Sequence, residues 1–255
     1  MKERTHKLKR EVLFGVGVDP LTLQETVSLV EQKIRDKKPT HLLGVNADKI
    51  NGLGIDDKYD DIIKNAEIIN ADGASLVIAS KILKHPLPER VAGIDLMQSL
   101  LDISEKKNYS VYFLGSKQEV VEKMLSNFHS DYPKLNVAGY RNGYFTEADW
   151  PAVSEELRKK QPDIIFIGIT SPIKEYLIDY LMRDSVNSIF MGVGGSFDVL
   201  SGNINRAPMW YQNHNLEWLY RLSQEPKRLF KRYLFGNIKF ILLVLREKLL
   251  GGNHD

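Results

Sequence analysis

The chain has 255 residues, of which 43% are hydrophobic and 27% charged, with 18 glycines and 10 prolines. This composition excludes a disordered, collagen-like or repeat-dominated protein. The absence of cysteine excludes a disulfide scaffold, thiolate catalysis and cysteine-based zinc sites, and favours a reducing compartment. The net charge of +2 conceals an asymmetry, because residues 221–248 carry eight basic and two acidic side chains. Such a basic segment suggests a role of its own.

Neither end of the chain carries a long hydrophobic run. The basic start is not followed by an apolar stretch, so we expect no secretory signal. The most apolar run near the other end is Phe240–Leu245, whereas a helix needs about 20 apolar residues to span a bilayer. We therefore expect a cytoplasmic protein that is soluble or peripheral on a membrane.

Short apolar runs alternate with amphipathic stretches along most of the chain. The pattern predicts helices at Leu21–Arg35, Ala74–Leu83, Lys117–Phe128, Pro172–Arg183 and from Phe197 onward, and strands at His41–Val45, Glu67–Asn70, Ser110–Leu114, Asp163–Ile167 and Ser188–Met191. Ser116 with Glu119, and Ser171 before Pro172, predict two helix starts. This alternation indicates an α/β, Rossmann-like fold with a mainly parallel sheet and flanking helices.

The alternation stops near residue 203, where we place a boundary. Residues 1–203 form the predicted catalytic domain, and residues 204–255 form a basic amphipathic helical appendage that associates with a membrane. Three interpretations of the appendage are open: a solvated helix packed on its own core, a nucleic-acid-binding face, and a helix on a membrane surface. Basic residues alternate with aromatic and aliphatic ones such as Trp210, Phe235 and Leu242, which favours the membrane over nucleic acid.

Glycines and polar residues follow the predicted strands and should meet at one edge of the sheet, where ligands bind in such folds. They are Asn46, Asp72 with Gly73, Gly115 with Ser116, Gly168 to Ser171, and Gly192 to Gly195. The last loop is typical of either a tight turn or a phosphate site at a helix start. Asp72 is either the N-cap of the next helix or a general base. Arg90 and Arg206 are either solvated or clamp a phosphate.

Several classes of enzyme are disfavoured by missing motifs. The six histidines show no metal-ligand spacing, and the chain has no D-x-D pair, G-x-S-x-G elbow or Walker A sequence. A hydrolase or P-loop enzyme is therefore disfavoured. NAD binding is disfavoured as well, because no acidic residue ends a strand about 20 residues after the glycine loop. We expect no metal and no cofactor.

Seven groups of residues between Leu13 and Tyr233 together carry a resemblance to a known family. They are Val45-Asn46-Ala-Asp48 with Asn70-Ala-Asp72-Gly73; Glu89-Arg90-Val-Ala-Gly93-Ile-Asp95-Leu; Asn142-Gly143-Tyr144-Phe145; Ser171-Pro172-x-x-Glu175; Gly192-Val-Gly194-Gly-Ser-Phe197-Asp198; Gly202-x-x-x-Arg206-Ala-Pro208; and Leu216-Glu217-Trp218-Leu-Tyr-Arg221-Leu. In this order and spacing, the chain resembles the WecG/TagA/CpsF family of bacterial glycosyltransferases, glycosyltransferase family 26.

The resemblance implies an inverting, metal-independent transfer of an N-acetylmannosamine-like or related hexose from a UDP-sugar to a polyprenyl-diphosphate-linked saccharide. Such enzymes act at the cytoplasmic membrane face, in the synthesis of teichoic acid, capsule or exopolysaccharide. Asp72 matches the proposed catalytic carboxylate of the family and would deprotonate the acceptor hydroxyl. Arg90 would stabilise the negative charge of the departing UDP.

The resemblance also implies binding residues. Those for substrate are Gly44, Asn46, Ser171, Lys174, Glu175, Gly192, Gly194, Gly195, Asp198 and Arg206. Arg221, Arg228 and Arg232 would engage the lipid diphosphate and the anionic membrane. Two positions depart from the pattern of the family, which usually has Thr where Gly44 stands and Gln where Lys174 stands. These departures indicate a different donor or acceptor sugar, or a loss of activity.

Three functions stay open at this point. The first is a UDP-sugar-dependent glycosyltransferase, the second a non-catalytic or altered-specificity UDP-sugar-binding homologue, and the third a nucleic-acid-binding α/β protein. We favour the first, with a UDP-sugar donor, a lipid-linked acceptor and an anionic membrane surface as partners, and no nucleic acid. The oligomeric state is open, and a homo-oligomer that hides the active edge is one alternative.

Overall fold

The computed structural model describes residues 9–251, apart from the side chains at positions 228, 232 and 250. The described chain begins with a hairpin, in which β1 (Glu11–Leu13) and β2 (Val16–Val18) pair antiparallel. Phe14 and Gly15 form its turn, with φ angles of 54° and 77°. The sequence pattern does not predict this hairpin, because strands of three residues are too short to show a period.

A six-stranded parallel sheet forms the centre of the molecule. Its strands are β3 (Thr40–Val45), β4 (Ile68–Ala71), β5 (Ser110–Gly115), β6 (Asn136–Arg141), β7 (Ile164–Gly168) and β8 (Ile189–Gly192). They lie in the order β4-β3-β8-β7-β5-β6. The five predicted strands are confirmed to within one residue at each end. The sixth, β6, is partly exposed at the sheet edge and lacks the apolar run by which the others are recognised.

Helices cover both faces of the sheet. They are α1 (Leu23–Arg35), α2 (Ala47–Gly52), α3 (Asp57–Asn65), α4 (Ala74–Ile82), α5 (Gly93–Lys107), α6 (Gln118–Asp131), α7 (Trp150–Lys160), α8 (Ile173–Arg183), α9 (Ser196–Leu200), α10 (Met209–Asn213), α11 (Glu217–Gln224) and α12 (Pro226–Gly251). A short 3-10 helix at Glu147–Asp149 precedes α7. The expected Rossmann-like α/β class is confirmed.

Neighbouring residues of the central strands enter separate hydrophobic clusters. In β3, Leu42 packs with residues of α1 and α5, whereas Leu43 packs with residues of α2 and α3. Successive side chains of a strand point to opposite faces of the sheet. Because both faces are covered, the central strands are continuous apolar runs rather than alternating ones.

Two predicted helix caps are wrong, although both helices begin within one residue of the predicted positions. Ser116 has a φ of 55°, and α6 begins after Lys117 without a side-chain cap, so no capping box forms. A capping residue needs extended backbone, which Ser116 does not have. Ser171 does not cap α8 either, because its hydroxyl donates to Glu175 Oε1 at 2.8 Å and the N-cap is Pro172. The Ser171 hydroxyl thus donates to a buried carboxylate and does not cap the helix backbone.

The appendage ends in α12, which packs along one side against the rest of the chain. The rings of Phe240 and Phe14 lie 5.5 Å apart between centroids, and Phe240 is 4% exposed. The Asn51 amide of α2 donates to the Gly236 carbonyl at 2.8 Å, and Lys239 Nζ donates to the Asn51 carbonyl at 2.6 Å. The appendage therefore shares core contacts with the sheet-containing part, and the boundary at residue 203 stays a prediction.

The other side of α12 is apolar and exposed. Its exposed residues are Phe230, Leu234, Phe235, Ile238, Ile241, Leu242, Leu245 and Leu249. Within the described range, no helix combines the length and hydropathy needed to cross a bilayer. One face of the helix packs on the core, as in the first interpretation of the appendage, while the opposite face presents the surface that the membrane interpretation requires.

Candidate functional site

The carboxyl ends of four neighbouring strands carry most of the predicted site residues. Asn46 follows β3, Asp72 follows β4, Ser171 lies beyond β7, and Gly192 ends β8. These strands are parallel and adjacent in the order β4-β3-β8-β7. The residues that follow them therefore lie along one edge of the sheet, where ligands bind in open α/β folds.

Asp72 places its carboxylate at the start of α5. Its Oδ1 accepts a hydrogen bond from the Gly93 N–H at 2.8 Å, and its own N–H donates to the Val45 carbonyl at 2.9 Å. The N-cap of α4 is Gly73, and no side chain caps that helix, so the interpretation of Asp72 as its N-cap is wrong. The carboxylate is instead oriented by an N–H at the positive end of a 15-residue helix.

Gly44 and Asn46 lie directly beside Asp72. A Cβ on Gly44 would be 3.0 Å from Asp72 Cβ, and a Cβ on Gly73 would be 3.0 Å from Asn46 Cβ. Asn46 Oδ1 accepts from the Lys49 N–H at 3.2 Å and caps α2. A threonine at position 44 would press on the carboxylate side chain, so glycine there gives Asp72 more room.

A buried cluster of charged side chains lies next to this edge. Glu175 is fully buried, and its Oε1 lies 3.2 Å from Lys49 Nζ and 3.5 Å from Lys174 Nζ. Burial raises the pKa of the Glu175 carboxyl, but the two ammonium groups and the Ser171 hydroxyl outweigh burial and leave that pKa lowered. Two cations thus share one carboxylate, which leaves an excess positive charge in a desolvated place.

His41 adds no charge to this cluster. The residue is 3% exposed, and its Nε2 has no hydrogen-bond partner among the described residues. Burial lowers the pKa of His41 to about 3; Glu175 opposes that shift, whereas Lys49 and Lys174 add to it. At neutral pH the imidazole is therefore uncharged, and the excess charge belongs to the lysines.

Lys174 reaches the site through space that Gly192 leaves open. A Cβ on Gly192 would lie 2.6 Å from Lys174 Cδ and 3.1 Å from its Nζ. Burial, and then Lys49, lower the pKa of Lys174, whereas Glu175 and Asp72 raise it, and the net result is a pKa of about 8. The ammonium is therefore within electrostatic range of the candidate catalytic carboxylate.

The loop at Gly192–Gly195 is open on the side away from the sheet. A Cβ on either of its last two glycines would meet no atom within 4 Å, and Gly194 has a φ of 53°. The helix that follows, α9, has only five residues, so of the two interpretations of this loop the phosphate site at a helix start has only a short helix behind it. The Asp198 carbonyl accepts hydrogen bonds from two N–H groups of the turn after α9.

The Lys174 ammonium lies near this loop. It attracts an anion more strongly than the start of the short helix α9 does.

Arg90 and Arg206 converge on Glu217, a residue of α11. Arg90 Nη2 pairs with the Glu217 carboxylate, and Arg90 Nε donates to the Asp72 carbonyl at 2.9 Å. Arg206 Nε lies 3.8 Å from Glu217, and its Nη2 pairs with Asp95. Both guanidinium groups are therefore paired with carboxylates, and a contact of either arginine with a phosphate stays a prediction.

The lipid-binding arginines of the appendage are only partly described. Arg221 is exposed on α11, whereas the side chains of Arg228 and Arg232 lie outside the described residues. Their contact with a lipid diphosphate stays a prediction.

Three contributors to the site were not singled out from the sequence: His41, Lys49 and Glu217. Lys49 follows Asn46 by three residues, a helical spacing that places Lys49 one turn beyond the N-cap of α2. Glu217 is an acidic residue among the basic ones of the appendage, and its place in the Leu216–Leu222 motif gives no hint that it pairs with Arg90. His41 lies inside a strand and gives no such signal.

The arrangement is suited to group transfer with an anionic leaving group. A carboxylate oriented at a sheet edge can take a proton from a hydroxyl, and a nearby ammonium can stabilise developing negative charge. Within residues 9–251, no group of three or more His, Asp or Glu side chains is arranged to hold a metal ion.

Known glycosyltransferases are similar to this chain over almost its whole length. Residues 11–254 match the sequence model of the glycosyl transferase WecG/TagA/CpsF family. A protein of Bacillus subtilis (strain 168), named N-acetylglucosaminyldiphosphoundecaprenol N-acetyl-beta-D-mannosaminyltransferase, is 31% identical over 94% of this chain and 93% of its own length. Proteins of the same name from Bacillus spizizenii and Staphylococcus aureus (strain MW2) are 34% and 32% identical, over 75% and 90% of this chain and 73% and 90% of their own lengths. The chain is thus a glycosyltransferase and belongs to the WecG/TagA/CpsF family.

Proposed function

We propose that the protein moves an N-acetylmannosamine-like sugar or related hexose from a UDP-sugar to a polyprenyl-diphosphate-linked N-acetylglucosamine, with inversion, in the synthesis of a cell-surface polymer such as teichoic acid. The observation that carries the proposal is the Asp72 carboxylate, held through Oδ1 by the Gly93 N–H at 2.8 Å beside a buried excess of positive charge. The names of the relatives support both the acceptor and the transferred sugar.

Asp72 acts as the general base of this reaction. Its Oδ2 takes the proton of the acceptor hydroxyl while that oxygen attacks the anomeric carbon from the face opposite UDP. The new glycosidic bond forms as the bond to the phosphate oxygen breaks, so the configuration inverts and UDP leaves with the electron pair. The hydrogen bond from Gly93 to Oδ1 keeps the carboxylate in one orientation through the step. Arg90 donates to the Asp72 carbonyl and pairs with Glu217, so it positions the base, while Lys174 stabilises the charge that develops on UDP.

Lys174 supplies positive charge for the donor diphosphate. Its ammonium shares Glu175 with Lys49 and lies against Gly192, next to the open glycine loop. Lys49 and Lys174 share the single carboxylate of Glu175. A diphosphate bound at this loop adds a second anionic partner for the Lys174 ammonium. Glu175, together with the Ser171 hydroxyl bonded to it, positions Lys174 rather than touching the sugar.

The outer face of α12 brings this site to the cytoplasmic face of the membrane. Exposed side chains such as Phe235 and Ile241 enter the interface, and each Lys or Arg near an anionic surface adds about 1 kcal/mol. Arg221, Arg228 and Arg232 engage the lipid diphosphate. Flotation with vesicles tests this step, and we expect binding to vesicles that contain anionic lipid and little binding to neutral ones.

Product formation tests the whole proposal. The protein is incubated with a panel of UDP-sugars and a short-chain lipid-diphosphate N-acetylglucosamine, and the product is measured by mass spectrometry. Asp72→Asn keeps the acceptor for the Gly93 N–H but removes the base, so we expect turnover to fall at least about 100-fold with UDP binding intact. Wild-type turnover in that variant would refute the role of Asp72. UDP binding without product from any pair would favour the alternative, a non-catalytic or altered-specificity homologue.

A further inference from the structure

We propose that a polar pocket between α5 and the appendage binds the sugar ring of the acceptor, a neutral and hydroxyl-rich N-acetylhexosamine; this inference rests on the proposed function. The pocket has a volume of about 410 Å³. Its polar lining residues are Arg90, Asp95, Gln212, Asn213, Asn215 and Glu217.

The pocket adjoins Asp72 on the side away from the donor loop. The Val91 N–H donates to the Ala71 carbonyl at 2.9 Å, along the edge of β4 that faces away from β3. Arg90, the residue before Val91, donates through its Nε to the Asp72 carbonyl at 2.9 Å. Because β8 and its glycine loop lie on the other side of β3, the pocket and the loop flank Asp72. This placement suits in-line attack, because the acceptor hydroxyl attacks the anomeric carbon on one face while UDP departs from the opposite face.

The charges of the pocket favour a neutral ring over a diphosphate. Arg90 pairs with Glu217, and Arg206 pairs with Asp95 and lies 3.8 Å from Glu217. Two guanidinium groups therefore face two carboxylates, and a diphosphate entering here would meet both carboxylates at close range. The cluster around Lys174 has excess positive charge instead. The anionic groups of the two substrates consequently belong outside this pocket.

Three amide side chains give the pocket hydroxyl-binding capacity. An amide both donates and accepts hydrogen bonds, as a sugar hydroxyl does. Gln212 donates to the Ala207 carbonyl at 2.6 Å, which orients the amide and leaves its oxygen for a ligand. Asn213 and Asn215 are exposed, and within the described chain neither side chain is tied down by a hydrogen bond. Carboxylates of Asp95 and Glu217 add further acceptors for hydroxyls.

Two asparagine variants test the assignment with little structural cost. Asn213→Ala removes one amide, and Asn215→Gly removes the other while suiting the φ of 59° at that position. We expect each to raise the KM for the short-chain lipid-diphosphate N-acetylglucosamine about 10-fold, as loss of one hydrogen bond to a ligand predicts. The KM for the UDP-sugar and the melting temperature should stay at the wild-type values. Asn187→Ala, just before β8 at the opposite edge of the sheet, is the matched control and should change neither KM.

A sugar-free inhibitor separates ring recognition from diphosphate recognition. A short-chain polyprenyl diphosphate that lacks the sugar should inhibit wild type and Asn213→Ala equally, because its anionic group binds outside the pocket. If both asparagine variants still transfer sugar and their KM for the acceptor is unchanged, the assignment of the pocket is overturned while the proposed function stands. A raised KM for the UDP-sugar instead would overturn it too, by placing the donor in the pocket. Absence of any transfer by the wild-type protein would refute the proposed function, and this inference with it.

Discussion

Replacing Lys174 by methionine is expected to stabilise the folded protein while weakening its binding of UDP. Folding lowers the pKa of Lys174 from 10.5 to about 8, so a charged ammonium at pH 7 costs about 3 kcal/mol relative to the unfolded chain. Methionine fills the space of the alkyl stem without that cost. Glu175 keeps Lys49 at 3.2 Å, so the substitution strands no buried carboxylate.

Urea unfolding at several pH values measures the stability effect. We expect Lys174→Met to raise the free energy of unfolding at pH 7 by up to about 3 kcal/mol. Between pH 8 and 10.5 the unfolded wild-type chain binds a proton that the folded one has released, so wild-type stability rises with pH and the gain from methionine shrinks. The other groups that face this side chain, Lys49, Glu175, Asp72 and His41, are unchanged in the variant. Lys81→Met, on the exposed side of α4, controls for the loss of a surface lysine.

Calorimetric titration measures the effect on ligand binding. We expect UDP to bind Lys174→Met about 10- to 100-fold more weakly, as loss of a charged hydrogen-bond donor predicts, while the binding of uridine stays unchanged. The reasoning is refuted if Lys174→Met is less stable than wild type at pH 7 and binds UDP as tightly. In that case the ammonium is a structural partner of Glu175 and has no part in donor binding.

Three further substitutions test other contacts of the structure. Gly192→Ala places a methyl group 2.6 Å from Lys174 Cδ, so calorimetry should show weaker UDP binding, with no added loss in a Lys174→Ala background. His41 has a folded pKa of about 3, below its ordinary 6.5, so wild-type stability should fall as pH drops from 6.5 towards 3, by up to about 1.4 kcal/mol per pH unit. His41→Gln should flatten that slope in urea unfolding, and equal slopes would contradict the burial argument. Phe240→Ala should cost about 3–5 kcal/mol in one cooperative transition, whereas a separate early transition for α12 would show that the appendage is not part of the shared core.

The sheet was predictable because most of its strands are buried on both faces. Strands such as Ile164–Gly168 have continuous apolar sequence, and each is followed by turn residues. The hairpin at Glu11–Val18 packs into a core cluster with distant residues such as Leu43 and Phe240, and the edge strand Asn136–Arg141 is partly exposed, so the local sequence of either element carries little signal. Tertiary context, rather than propensity, decides such elements.

The candidate site was predictable where it depends on strand ends. Asn46 and Asp72 follow parallel strands and Gly192 ends one, and that topology alone brings the three residues together. The pairing of Lys49 with Glu175 joins two helices that lie far apart in the sequence, and the pairing of Arg90 with Glu217 joins two segments separated by 127 positions. Neither contact has a local pattern, so both had to be found in the folded chain.

The attachment of α12 has a mechanical consequence. The bond between Asn51 and Gly236, together with the packing of Phe240 on Phe14, holds the helix in one orientation about its own axis in the structure. Its exposed apolar face therefore points in one fixed direction relative to Asp72. A bilayer bound to that face would therefore fix both the orientation of the sheet and its distance relative to the bilayer surface. The helix would then act as a molecular ruler, selecting acceptors whose reactive hydroxyl stands at a set distance from the lipid surface.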